Sequence, residues 1–233
     1  MADRDPDTQG EAGRRIPIWD RPTRVFHWVL AILFVVCFVS GSRGQFDIHI
    51  PAGQALLVLV VARIVWGLVG SETSRLATLV RSPATILAYV RTVPRRVPDR
   101  YGGHNPLGGL SVVAMLALLL LQTGLGLFAA DVDGLHEGPL SFLVSYDLAR
   151  EASELHAIVV DILLGLVGLH LAAILFHLIY KRENLTGAMV TGRGPVPAGF
   201  REPRIAGDGR AILVLAVAAA IVIGGIELAQ RAF

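Results

Sequence analysis

Two histidines, His156 and His170, lie 14 residues apart in one apolar stretch of the chain. On an α-helix this spacing is about 3.9 turns and about 21 Å of rise, so the two imidazoles share a face at different depths. Two more histidines, His27 and His49, lie at the ends of two earlier apolar segments. Ionisable side chains inside membrane helices usually mark functional sites. Four imidazoles at two depths are the ligand set that two stacked haems with bis-histidine coordination require.

The composition indicates an integral membrane protein. Hydrophobic residues make up 53% of the 233 residues and charged residues only 17%, and the mean hydropathy is +0.58. Crossing the hydrocarbon core takes about 20 apolar residues. The sequence contains five such segments, 24–41, 52–70, 108–130, 155–180 and 211–229. We therefore predict an all-α integral membrane protein, an antiparallel four-helix transmembrane bundle holding two haems plus a fifth C-terminal transmembrane helix. No nucleic-acid partner is expected.

The positions of the basic residues predict the orientation of the chain. Seventeen of the 21 Lys and Arg residues lie before or at the first position of the first segment, between the second and third, or between the fourth and fifth. By the positive-inside rule these parts are cytoplasmic, so the N-terminus is predicted inside and the C-terminus in the periplasm. The expected location is the bacterial cytoplasmic (inner) membrane, with lipid around the helices.

The use of cysteine limits how a haem could be held. The single cysteine, Cys37, lies within the first segment, which excludes a disulfide framework and a CxxCH motif for covalent attachment. Any haem would therefore be bound non-covalently. Residues 1–16 lack the basic-then-apolar order of a cleavable signal peptide, and we predict that they form a mobile cytoplasmic tail.

Depth within the antiparallel helices predicts how the histidines pair. His49 and His156 each stand at the start of a segment that runs inward, so both lie towards the periplasm. His27 starts the outward-running first segment, and His170 lies deeper in the fourth. We predict an outer pair, His49 with His156, and an inner pair, His27 with His170, as the metal ligands.

Three further residues of the apolar segments could contact a cofactor. Arg63 follows His49 by 14 residues, which places it at the depth of the inner haem, where a propionate is its natural partner. His177 competes with His170 as a ligand, or contacts a propionate or a quinone. Asp161 could orient a ligand or pass a proton, and a hydrogen bond to a neighbouring helix is the simpler expectation. No catalytic residue is predicted.

The loops carry weaker signals. His104 and His136 are expected to be polar surface residues, and Asn105 followed by Pro106 is a good helix start. Residues 79–90 form either a short amphipathic helix on the membrane surface or a solvated loop. The third loop, 131–154, is acidic, and it would attract the basic face of a soluble c-type cytochrome.

Six glycines of the apolar segments allow two interpretations. They leave room for a porphyrin or, as we favour, permit close helix packing. These glycines are Gly53, Gly67, Gly124, Gly126, Gly165 and Gly168.

Several stretches resemble one known family. They are WDRPTRVFHW (19–28), HIPAGQALLVLVVARIVWGLVG (49–70), GHNPLGG (103–109), HAIVVDILLGLVGLHLAAILFH (156–177) and KRENLTGAMVTGRG (181–194). In order and spacing, residues 17–194 resemble the bacterial cytochrome b561 and nickel–iron hydrogenase cytochrome b family. The resemblance divides the chain into the tail 1–16, a di-haem domain 17–194, and a linker with the C-terminal helix, 195–233.

The resemblance implies two haem b groups, ligated through the first, second and fourth helices. It supports His27, His49, His156 and His170 as ligands, and it demotes His177, because members often carry a non-ligating histidine there. Members pass electrons between a membrane quinone and a periplasmic or membrane-bound partner. The quinone would be ubiquinone or menaquinone. The fifth helix departs from the four-helix pattern and could dock a partner subunit.

Three functions remain open at this point. The leading hypothesis is transmembrane electron transfer between the quinone pool and a periplasmic redox partner such as a c-type cytochrome. The second is the haem-b membrane anchor subunit of a multisubunit, hydrogenase-like oxidoreductase. The third is a transporter whose histidines relay protons. Whether the protein itself oxidises quinol or reduces quinone, and whether it forms a homodimer, is left open by the sequence.

Overall fold

Five long apolar helices dominate the computed structural model, which describes residues 14–98, 101–132, 136–197 and 199–233. The helices are α1 (Arg21–Ser42), α2 (Phe46–Val69), α3 (Pro83–Val90), α4 (Pro106–Phe128), α5 (Tyr146–Ile179), α6 (Leu185–Thr191) and α7 (Asp208–Ala232). Among the described residues, α1, α2, α4, α5 and α7 are each long and apolar enough to cross a membrane. The predicted fold class, an all-α multi-pass membrane protein, is confirmed.

Two spanning helices begin earlier than the hydropathy of the sequence predicts. α2 begins at Phe46 and runs through Pro51, because a proline this close to the helix start removes a single backbone hydrogen bond. Pro51, which we expected to interrupt the helix pattern after the first segment, therefore does not break α2. α5 begins at Tyr146, with a polar extension before its apolar part. Much of the acidic stretch 131–154, which we expected to be a loop, is therefore helical.

Side-chain caps define where three spanning helices start. Asp20 accepts a hydrogen bond from the Thr23 amide at 2.6 Å at the start of α1. Asn105 accepts one from the Gly108 amide at 2.7 Å, which confirms the predicted start of α4. Ser145 caps α5 in the same way. Each cap satisfies an amide that the helix itself leaves without a partner.

α2 is the central helix of the bundle. It packs against α1, α4 and α7, and α5 packs against α4. One apolar core joins α2 to α4 and α5, and Val60, Leu119 and Leu163 are among its buried residues. A second core joins α2 to α7. The fifth spanning helix is therefore packed along the bundle, and α4 forms a wall that contacts both α2 and α5.

A small non-helical cap covers one end of the bundle. Strand β1 (Arg15–Pro17) pairs antiparallel with β2 (Arg193–Pro195), and Ile16, Ile18 and Val196 are buried beneath them. Residues 1–13 of the predicted tail 1–16 lie outside the described residues. Its last two residues belong to β1, so regular structure begins before the predicted boundary at 17.

In the described part of the segment between α2 and α4, two short 3-10 helices (Glu72–Ser74 and Leu76–Thr78) precede the α-helix α3, which Ser82 caps. Leu87 and Val90 of α3 are exposed, whereas Leu79, just before it, is buried. Of the two expectations for residues 79–90, the helix is present and the solvated loop is wrong. Contact of α3 with a membrane surface stays a prediction.

Candidate functional site: two facing pairs of histidines

The outer pair faces across the bundle between α2 and α5. The ring centroids of His49 and His156 are 6.0 Å apart, with the ring planes at 79°. His49 Nδ1 lies 2.8 Å from the carbonyl oxygen of Cys37 on α1, and His156 Nδ1 lies 2.9 Å from that of Gln122 on α4. A carbonyl can only accept, so both Nδ1 atoms carry the proton. Each Nε2 therefore keeps its lone pair for a metal.

Glycine permits these close contacts in the outer pair. A Cβ atom on Gly41 would lie 2.8 Å from His49 Nδ1, and one on Gly126 would lie 3.1 Å from His156 Cε1. Four of the glycines for which we favoured helix packing would instead meet nothing within 4 Å, namely Gly53, Gly124, Gly165 and Gly168. For these four the packing interpretation is wrong. It holds for Gly67, which lies against Leu76.

The inner pair joins α1 to α5. The ring centroids of His27 and His170 are 6.4 Å apart at an interplanar angle of 51°, and Trp28 contacts His27 edge-on at 5.1 Å. His27 Nδ1 is enclosed and has no hydrogen-bond partner among the described residues. The inner pair thus has the spacing of the outer pair without its carbonyl hydrogen bonds.

Both spacings suit a single metal ion between the two rings. Two metal–imidazole bonds of about 2 Å on opposite sides of an ion hold the nitrogens about 4 Å apart, and each centroid lies a ring radius further out. Among the described residues, no group of three or more His, Cys, Asp or Glu side chains could hold a metal. Each pair offers two facing imidazoles, which are the axial ligands that haem iron takes from a protein, so the residues fit haem.

A buried polar network stands at the same end of the bundle as the inner pair. Asp20 accepts hydrogen bonds from Ser74 Oγ at 3.0 Å and Trp66 Nε1 at 3.2 Å. Arg63 is only 4% exposed and donates from Nη1 to the Ser74 carbonyl at 3.1 Å. The network fixes a guanidinium deep in the protein, beside the Asp20 carboxylate. The sequence predicted the depth of Arg63 but not the Asp20 network that holds it.

His104 differs from its expectation as a polar surface residue. Its ring is half-buried and packs on Trp19, with centroids 4.6 Å apart. Its Nδ1 is enclosed without a hydrogen-bond partner among the described residues. Burial, with smaller contributions from Arg63, His170 and His27, lowers the pKa of His104 to about 3. His104 is therefore a neutral histidine beside the inner pair, which residue type and loop position alone do not indicate.

The remaining candidates lie apart from the two pairs. His177 is buried at the end of α5, with Nδ1 3.0 Å from the Glu183 carboxylate, while the ring that faces His27 is that of His170. Asp161 is exposed, and the structure shows no hydrogen bond from it to a neighbouring helix in the described part of the chain. His136 is exposed as expected and lies 3.2 Å from Asp131.

The fold and the two histidine pairs together define a class, a multi-pass membrane protein suited to binding haem between its helices. The sequence model of the prokaryotic cytochrome b561 family matches residues 18–192. The chain belongs to this family, and its membership supports membrane electron transfer by haem b. The predicted family is confirmed.

Similar sequences carry one common name, "Probable Ni/Fe-hydrogenase B-type cytochrome subunit". The protein of Azotobacter chroococcum is 24% identical over 212 residues, which cover 75% of this chain and 86% of the relative. That of Bradyrhizobium diazoefficiens is 24% identical over 221 residues, covering 80% and 90%. That of Rhodobacter capsulatus is 21% identical over 231 residues, covering 81% and 83%. No solved structure matches the chain.

Proposed function

We propose that the protein carries electrons across the bacterial cytoplasmic membrane through two non-covalently bound b-type haems. His49 and His156 would hold the outer haem, and His27 and His170 the inner haem. The observation that carries the proposal is the presence of two facing histidine pairs, 6.0 and 6.4 Å between centroids. Two axial imidazoles leave no open position for a substrate, so such a haem serves as a one-electron carrier.

The protein's own residues supply orientation and spacing. The carbonyls of Cys37 and Gln122 hold the outer imidazoles in the tautomer that presents Nε2. On α5 the two ligands are separated by about 21 Å of helix rise, which divides the membrane crossing into a few electron-transfer steps. Arg63 supplies a fixed cation for a propionate of the inner haem. His177 pairs with Glu183 at the end of α5 and is not one of the proposed haem ligands.

The proposed orientation of the chain across the membrane rests on the distribution of its basic residues. The cytoplasmic N-terminus and periplasmic C-terminus that we propose rest on the seventeen basic residues of the inner segments. On this orientation the outer pair and the acidic residues Asp147, Glu151 and Glu154 at the start of α5 lie at the periplasmic side. A membrane quinone and a periplasmic redox protein with a basic face, such as a c-type cytochrome, would be the two electron partners.

A pyridine haemochrome assay on the detergent-purified protein tests the cofactor content directly. We expect two haem b per chain and a dithionite-reduced spectrum of low-spin b-type haem. One haem per chain would contradict the di-haem proposal. Colourless protein from haem-supplied cells would contradict haem binding as a whole and return attention to the proton-relay transporter, against which membership of a cytochrome family argues.

A second function is favoured by the names of the relatives, which describe a subunit of a nickel–iron hydrogenase. In that case the chain would be the haem-b membrane anchor of a multisubunit oxidoreductase whose catalytic metal lies in another subunit. Co-purification of a defined hydrophilic redox subunit in stoichiometric amount would support it. A stable isolated protein that a quinol reduces and a c-type cytochrome oxidises would support the leading proposal instead.

A further inference from the structure

His104 stands at the entrance to α4, next to the helix cap Asn105. The ring lies against Trp19, which belongs to the segment between β1 and α1. Its Nδ1 atom is enclosed, and the described residues provide no hydrogen-bond partner. A buried polar atom without a partner lowers the stability of a protein. The position is therefore expected to serve a group that the polypeptide itself does not supply.

Three other ionisable side chains lie near His104. His104 is within electrostatic range of both inner histidines, His27 and His170, and of Arg63. Arg63 is almost fully buried, and its bond to the Ser74 carbonyl uses one of its five N–H donors. His104 packs on Trp19, and the next residue, Asp20, shares Ser74 with Arg63. An imidazole and a guanidinium, both able to donate hydrogen bonds, therefore lie in this part of the protein. An oxygen acceptor, and most favourably an anionic one, fits between such donors.

We propose that His104 donates a hydrogen bond to a propionate carboxylate of the inner haem and so helps Arg63 to position and neutralise that carboxylate. This inference rests on the inner haem of the proposed function. The haem brings its own carboxylates into a region of low dielectric constant, where an unpaired charge is strongly unfavourable. One buried cation and one neutral donor can hold such a group, because the cation offsets its charge and the neutral histidine adds a hydrogen bond without a second charge.

The hydrogen bond has a consequence for the reduction potential. A propionate whose negative charge is less well neutralised stabilises the ferric iron over the ferrous iron. Loss of the His104 donor should therefore move the midpoint potential of the inner haem to a more negative value. The outer haem is held by other helices and should keep its potential.

Two substitutions separate hydrogen bonding from packing. His104→Phe keeps an aromatic ring against Trp19 and removes the N–H donor, whereas His104→Gln keeps a donor and removes the ring. His136→Phe is the matched control, because His136 is an exposed loop histidine on the other side of the bundle. All three are made in the full-length protein and also together with His156→Ala, which should leave the inner haem alone for redox titration.

The expected result is a negative shift of the inner midpoint potential in His104→Phe, a smaller shift in His104→Gln, and none in His136→Phe. Loss of the inner haem in His104→Phe but not in His104→Gln would support the proposal in the same way. An unshifted potential in His104→Phe, or equal changes in both His104 variants, would overturn it. The proposal would also be overturned if His104→Phe left the potential unshifted but required more quinol for half-maximal reduction. That result would assign His104 to quinone binding.

Failure of the function and failure of this inference are distinguishable. If the unsubstituted protein does not bind two haem b, or if His156→Ala does not retain the inner one, the proposed function or its pairing is at fault. If both conditions hold and the potential does not respond to His104, the role of His104 alone is wrong.

Discussion

The outer and inner histidine pairs have nearly the same spacing but differ in what holds the rings. Both outer rings donate from Nδ1 to backbone carbonyls, those of Cys37 and Gln122. In the inner pair, His27 Nδ1 has no such partner among the described residues, and a polar network with buried Arg63 lies nearby. The packing of the helices therefore sets the distance between the two rings of each pair. The hydrogen bonds and charges around the rings differ between the two sites.

This contrast predicts two haems with different properties. A hydrogen bond from Nδ1 to a carbonyl makes the imidazole a stronger donor to the metal, which favours ferric iron. A buried cation near the haem favours ferrous iron. We therefore expect the outer haem to have the more negative midpoint potential, so that transfer from the outer to the inner haem is downhill. That order would suit entry of electrons from the periplasmic side.

The largest expected effect is the loss of one haem when one ligand is removed. His49→Ala and His156→Ala should each lose the outer haem and keep the inner one, because the four histidines lie in two separate pairs. His170→Ala should do the reverse. The measurement is haem per chain together with the potential of the haem that remains. Loss of the inner haem alone in His49→Ala would show that the pairing is wrong.

The next effect tests the carbonyl hydrogen bonds that distinguish the outer pair. In Gly41→Ala the new Cβ would lie 2.8 Å from His49 Nδ1, which displaces the ring from the Cys37 carbonyl. Loss of an orienting partner typically lowers metal affinity about 10- to 100-fold, so outer-haem occupancy should fall while the inner haem is retained. Gly225→Ala on α7 is the control, since its Cβ would meet nothing within 4 Å and α7 carries none of the four histidines. Equal outer-haem occupancy in both variants would show that the hydrogen bond from His49 to the Cys37 carbonyl does not contribute to haem binding.

The buried cation distinguishes the inner site. Arg63→Gln should shift the inner midpoint potential to a more negative value and leave the outer potential unchanged, because a fixed positive charge is removed from one haem. Arg63→Lys should give a smaller shift, since it keeps the charge but not the bidentate geometry. Redox titration of each variant measures both potentials. A parallel shift of the two haems would mean that Arg63 acts through the structure of the whole bundle.

Asp20 connects the inner site to the stability of the fold. Asp20→Ala removes the cap of α1 and the acceptor of Trp66 Nε1, and it leaves Ser74 Oγ with its bond to Thr23 alone. The loss of a cap and of buried hydrogen bonds should lower the free energy of unfolding by about 2 to 4 kcal/mol, seen as a lower Tm in detergent. Ser82→Ala removes an exposed cap and should lower the Tm much less. An unchanged Tm in Asp20→Ala would contradict the network.

The sequence predicted which histidines face each other more completely than it predicted their surroundings. Hydropathy and helix periodicity were sufficient to bring His49 to His156 and His27 to His170, because depth and face follow from spacing along regular helices. Asn105 followed by Pro106 similarly located the start of α4. The caps at Asp20 and Ser145 use the same signal and could have been recognised in the same way.

The unpredicted features depend on contacts between distant segments. The carbonyls of Cys37 and Gln122 carry no side-chain signature, since every residue has a backbone carbonyl. His104 is buried because the segment around Trp19 folds over it, and nothing in its own loop predicts that contact. The start of α5 was misplaced because hydropathy detects only the apolar part of a helix, not a polar extension that a serine caps.

The smallest expected effect concerns the surfaces next to the two pairs. The end of α5 beside the outer pair carries exposed acidic residues, whereas the opposite end of the bundle is basic. If a basic c-type cytochrome docks on the acidic side, Glu151→Lys should slow electron exchange between the two proteins severalfold at low ionic strength, and the difference should vanish as salt screens the charges. Arg91→Glu, on the basic side, should have no such effect. A wild-type rate that does not depend on ionic strength would argue against electrostatic docking and would favour a partner held permanently within the membrane.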